Sequence, residues 1–260
     1  MRRAITGVVG ALLATGASVG APGIASAAPT VSIKAMIVPI PGFPKTGDRL
    51  GAGAAVETQV TISGTEYGGF PPPLIGVNVF LPKGTLLHPA GFPTCPVSTL
   101  EPAGQGPMAC PKGSRAGPVG RVDGEVAFGS TIVPEEGTLE SFYAPGGGLE
   151  FFTYGRKPVV IEVISTAHYV NAGGLYSHEL IAEVPLVETV PGAQDASVTS
   201  ISVKVGSAIK ENGKTIYYGR VPTRCPSGGF PAKAELTFGG LGGLTQTTVT
   251  KTLKVPCPPR

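Results

Sequence analysis

The chain has 260 residues, with 39 glycines, 27 prolines, 4 cysteines and no tryptophan. Its formal charge is +3, but residues 1–27 hold Arg2, Arg3 and no acid; without them 18 basic residues face 17 acidic ones, a net +1. No basic run reaches five residues, which argues against nucleic acid and against an anionic membrane surface as partners.

Arg2 and Arg3 open a positively charged segment, Ile5 to Val19 form a short apolar stretch, and Ala25-Ser26-Ala27 supplies small residues suited to cleavage. This pattern predicts a signal peptide over 1–27 and a secreted all-β domain over 28–260. The stretch is too short and too rich in Gly and Ala for a membrane span, and no later segment qualifies as a transmembrane helix. No cysteine stands at the cleavage position, which argues against a lipid anchor.

Strand patterns then follow in quick succession. "VSIKAMIVPI" (31–40), "AAVETQVTIS" (54–63) and "LIGVNVFLP" (74–82) come first, the last after a triple proline. Next are "VGRVDGEVAF" (119–128), "TLESFYA" (138–144), "LEFFTYG" (149–155) and "PVVIEVIS" (158–165). "HELIAEVPLVETV" (178–190) contains Pro185, which predicts an edge strand or a bulge. "SVTSISVKV" (197–205) alternates cleanly, and "SAIKENGKTIYYGRV" places Asn212-Gly213 where a type I′ hairpin turn needs two residues of positive φ. "AKAELTFGG" and "TQTTVTKTLKV" complete the series.

Frequent strands and the Gly/Pro content predict an all-β fold, a turn-rich antiparallel β-sandwich, as one domain or as two packed sandwich-like subdomains. "VETVPGAQDAS" (187–197) is the one candidate boundary.

Gly-Phe-Pro recurs at Gly42-Phe43-Pro44, Gly69-Phe70-Pro71, Gly91-Phe92-Pro93 and Gly229-Phe230-Pro231, at no repeat period. Each reads as a turn glycine with a buried aromatic anchor; the competing reading gathers the rings into one aromatic binding surface.

Each cysteine, Cys95, Cys110, Cys225 and Cys257, is followed by proline. Their spacing lacks the close ligand pairs of zinc sites and the C-x-x-C of redox motifs. An even cysteine count in an exported chain implies disulfides. Of three pairings, Cys95–Cys110 with Cys225–Cys257 is favoured because each closes a compact local loop.

Catalytic and metal motifs are weak. His168 and His178, with Glu162, Glu179 and Glu183, make a conceivable metal set only if a hairpin joins them; His88 stands apart. Ser207 and Lys210 form a lone S-x-x-K without companion motifs. Glu135, Glu136, Glu140, Glu150, Glu162 and Glu188 are carboxylates with no spacing that defines a glycosidase pair. "APGGGLEFFTYG" lacks a phosphate-loop pattern and reads as a tight turn before a strand. No catalytic residue, metal site or cofactor is assigned.

"LPKGTLLHPAGFPTCPVSTLE", "ACPKGSRAGPVG", "CPSGGFPAKAELTF" and the closing "VPCP" together resemble a group of secreted actinobacterial proteins. The resemblance spans about residues 74–260. It implies an exported all-β protein and agrees with two local disulfides, and it brings no activity or ligand. The expectation is an exported, non-catalytic protein with a binding or cell-surface structural role and a cell-envelope or protein partner. The alternatives are a carrier of a small apolar or lipid ligand and a hydrolase with an unrecognised site.

Overall fold

The computed structural model describes residues 28–258 apart from 44, 102–103, 190–191 and 240–244. The expected leader over 1–27 lies outside the described residues.

Strand is nearly all the regular structure of the described residues, with helix limited to two short turns. The chain begins with β1 (Thr30–Val38), β2 (Ala55–Ser63), β3 (Leu74–Pro82) and the short β4 (Leu86–Leu87). A helical turn, α1 (Val97–Leu100), and a 3-10 turn (Pro107–Ala109) follow. Next come β5 (Gly120–Phe128), β6 (Thr131–Tyr143), β7 (Leu149–Lys157), β8 (Ile161–Asn171) and β9 (Tyr176–Glu183). The last are β10 (Ser197–Val205), β11 (Ala208–Glu211), β12 (Lys214–Tyr217), β13 (Gly219–Arg220), β14 (Phe230–Phe238) and β15 (Thr247–Val255).

Eleven strands form one sheet in the order β1-β2-β10-β5-β6-β7-β8-β9-β3-β14-β15, every neighbouring pair antiparallel. The sheet curls until β1 and β15 approach each other, making a nearly closed barrel. With an odd number of alternating strands, β1 and β15 run the same way. They meet through side chains: Ala35 and Ile37 of β1 join the core group that contains Leu253 and Val255 of β15. Strands from both sides of 187–197 belong to this sheet.

The expected antiparallel all-β fold is what forms, its two packed layers joined edge to edge by the curl. Val31, Ile62 and the half-buried Ile33, Val60 and Ile201 on one side pack against Leu236, Phe238 and Val249 on the other. β14 shows how alternation produces this: Phe230, Ala232, Ala234, Leu236 and Phe238 are buried and the residues between them are not. At the other end, Tyr143, Leu149, Ala167 and Ala182 pack beneath Phe92, Tyr218 and the base of the β11–β12 hairpin.

Two backbones approach closely where β10 meets β5 and the segment before it. A Cβ on Gly124 would stand 2.6 Å from the Ser197 carbonyl oxygen, and one on Gly120 or Gly117 would run into the carbonyls of Ser202 and Lys204. The ladder is irregular between Val198 and Ser200. Glycine is the residue that lets two backbones approach this closely.

The β11–β12 hairpin turns on Asn212 (φ 49°) and Gly213 (φ 75°), with Glu211 opposite Lys214, as a type I′ turn requires. Two expectations need correction. β6 begins at Thr131, seven residues earlier than the sequence pattern places it, despite Pro134. Pairing with β7 reaches only as far as Glu136, so at Pro134 the strand has one neighbour, β5, and a missing N–H does no harm. β9 is internal, between β8 and β3, so Pro185 marks neither an edge strand nor a bulge. The strand stops at Glu183, and the chain leaves the sheet before proline would interrupt a ladder on both sides.

Both expected disulfides form: Cys95–Cys110 (Cα–Cα 5.2 Å) and Cys225–Cys257 (Cα–Cα 6.1 Å). The first holds the excursion bearing α1 over the outer face of β6–β8, where Cys95 and Leu100 bury Phe142 and Phe152. The second ties the approach to β14 to the end of β15.

Candidate functional site

All four cysteines are consumed in disulfides, so no thiolate is left for a metal or for redox exchange. His168 faces Ile181 across β8–β9, whereas His178 faces Asn171. These positions differ in parity, so the two imidazoles sit on opposite faces of the sheet. Among the described residues no three His, Cys, Asp or Glu side chains converge as a metal ion would need. His88 is exposed, and its backbone N–H donates to the Tyr218 carbonyl.

Ser207 and Lys210 do not meet as a catalytic pair. Ser207 Oγ lies 2.7 Å from the Tyr143 hydroxyl, while Lys210 is exposed further along the hairpin. The triple glycine forms the β6–β7 turn, with Gly146 and Gly147 at φ 84° and 97°. All four Gly-Phe-Pro glycines have positive φ. Phe70, Phe92 and Phe230 are buried in three separate core groups, so these three rings are separate anchors and do not gather into one aromatic surface.

The carboxylates separate by environment. Glu136 is exposed and pairs with Arg121 at 3.1 Å, and Glu140 pairs with Arg115. Glu188 accepts the Gly192 N–H, and Glu162 is exposed. Glu150 is only 3 % exposed, beneath the stapled excursion, and accepts a bond from Thr166 Oγ1 at 2.8 Å. Burial raises its carboxyl above the ordinary range, the Thr166 bond partly opposing this. It is shut away from any substrate.

Glu135 differs from all of these because it points into the barrel. It is 6 % exposed, sits opposite Gly124 of β5, and lines a cavity of ≈ 90 Å³ in the lumen. The walls are chiefly aliphatic: Leu74, Val122, Val126, Val163, Val184 and Val198, with Thr153, Ser165 and Ser197 adding hydroxyls, the last donating to the Pro71 carbonyl. The Glu135 carboxylate accepts the backbone N–H of Lys157 at 3.1 Å and of Val159 at 3.3 Å, which fixes it to the β7–β8 turn. Each carboxylate oxygen retains accepting capacity beyond that one bond. Sequence reasoning names Glu135 only as one carboxylate among several; its inward direction follows from the early start of β6.

A second, more open cleft of ≈ 280 Å³ lies over Tyr143 and Tyr218. Their hydroxyls are already engaged, with Ser207 and with the Gly147 carbonyl. The rings stack at 4.2 Å and serve as core.

Among the described residues no helix is long and apolar enough to cross a membrane. No family model, curated protein or solved structure matches the chain.

Proposed function

We propose that the chain is exported and acts as a non-catalytic binding protein, holding a small ligand inside a disulfide-stapled β shell. The observation that carries this reading is the lumen cavity with one buried carboxylate among aliphatic walls. Apolar concavities with a few placed polar groups are the usual form of a small-molecule site. Export is supported by the leader pattern at 1–27 and by the two disulfides, which persist in oxidising compartments.

The cavity also limits the ligand. A void of roughly 150 Å³ accommodates benzene, so ≈ 90 Å³ leaves room for only about four non-hydrogen atoms. This favours a small molecule, or the end of a larger one, over carriage of a whole lipid.

The test is purification of the mature protein from the culture medium, followed by native mass spectrometry. A mass that accompanies the folded protein, disappears on unfolding and is missing from Val163→Phe is the expected result. A ligand-free protein that also fails to bind small amphiphiles added to it overturns the reading.

A further inference from the structure

We propose that the lumen cavity is a site for a small alkylammonium, its ammonium on Glu135 and its short aliphatic tail against Val122, Val163 and Val198. This rests on the binding reading and names its ligand class. Glu135 is buried, lines the cavity and is held by two backbone N–H groups. Among the described residues no lysine, arginine or histidine pairs with it; Lys157, whose N–H it accepts, is itself exposed. A carboxylate taken from water calls for a compensating cation or strong donors. An ammonium carries three N–H donors and unit charge, and it matches the accepting capacity that remains.

The walls select among cations. A bare metal ion requires about six oxygen ligands; beside Glu135 the walls add the hydroxyls of Thr153, Ser165 and Ser197. Asp123 and Glu125 alternate with Val122, Gly124 and Val126 and so face the other side of β5, where Asp123 pairs with Arg121 and Ser200. An organic cation with an apolar body fits both halves. The volume sets its length at about three carbons beyond the nitrogen.

The experiment is a ligand-observed NMR titration of the intact mature protein with n-propylammonium, 1-propanol and propionate, at one ionic strength set with potassium chloride. Propylammonium is expected to bind at least about tenfold more tightly than propanol, the size of effect a charge-assisted hydrogen bond brings. Propionate is expected not to bind. Glu135→Gln should bring propylammonium and propanol to similar affinity, and Val163→Phe, which keeps the carboxylate, should abolish both. Equal binding of propylammonium and propanol by the wild-type protein overturns the ammonium assignment and leaves the cavity as a binding site. If none of the three binds, both readings fall. The wild-type comparison needs no variant to fold.

Discussion

Gly155 makes the space that the Glu135 carboxylate occupies: a Cβ at position 155 would lie 2.5 Å from Glu135 Oε1. The two residues lie on neighbouring strands, and the missing side chain of one is what lets the other reach the Lys157 and Val159 amides. Gly155→Ala should therefore push the carboxylate off its donors and cost about 1–3 kcal/mol, the penalty for leaving buried polar groups unpaired. In a Glu135→Ala background the same substitution meets no carboxylate and should be close to neutral. Urea denaturation of the four proteins in this cycle gives the coupling directly. Additive effects would show that the two side chains do not compete for the space.

The close approach between β10 and β5 should tolerate no Cβ. At Gly120 the obstacle is the Ser202 backbone carbonyl, which cannot rotate away as a side chain could. Gly120→Ala is expected to lose about 3 kcal/mol or more, at the upper end of overpacking effects. Gly173→Ala is the control, since nothing lies within 4 Å of a Cβ there, and its stability should change by about 0.5 kcal/mol or less. Thermal unfolding of both variants checks the contrast.

The two staples should differ in strength according to the loops they close. Sequence separations of 15 and 32 residues correspond, on chain entropy, to about 3 kcal/mol for Cys95–Cys110 and about 0.7 kcal/mol more for Cys225–Cys257. Paired Cys→Ala variants measured by chemical denaturation test the order. The first pair should additionally expose Glu150, now buried beneath the excursion, to solvent.

Alkali should unfold the protein through its core tyrosines. Burial pushes the Tyr218 hydroxyl up to about 12 from an ordinary 10.0, and burial raises Tyr143 and Tyr169 further still. Below pH 10 native and unfolded chains both keep these protons, and stability is unaffected by them. Between about pH 10 and 12 the unfolded chain releases protons that the native one retains, so stability falls as pH rises. Phenolate absorbance should rise in step with loss of far-ultraviolet circular dichroism. Three tyrosines that ionise while the fold stays intact would contradict their burial.

Strand positions were legible because alternation records which residues face a core, and β14 and the Asn212-Gly213 hairpin needed nothing more. Both disulfides were legible from loop length. Pro134 concealed the start of β6, since the sequence does not reveal that its second neighbour begins only at Glu136. Without that start, Glu135 could not be given a direction. Gly120 and Gly124 fall inside the strand pattern 119–128 with no signal of their own, and their role emerges only when the Ser202 and Ser197 carbonyls come to lie beside them. That close approach is set by long-range pairing, which the local pattern does not record.

Arithmetic parity gives the shell a single seam. Ten antiparallel pairings among eleven strands bring β1 and β15 together pointing the same way, so zipping the wall shut would demand the less stable parallel ladder. A twelfth strand would reverse that relationship and allow an antiparallel lock. As the chain stands, the two rims meet through side chains, Ala35 and Ile37 with Leu253 and Val255 at one end and Val31 and Ile33 with Val249 at the other. Breathing of the wall should therefore start at this line, ahead of any of the ten paired ladders.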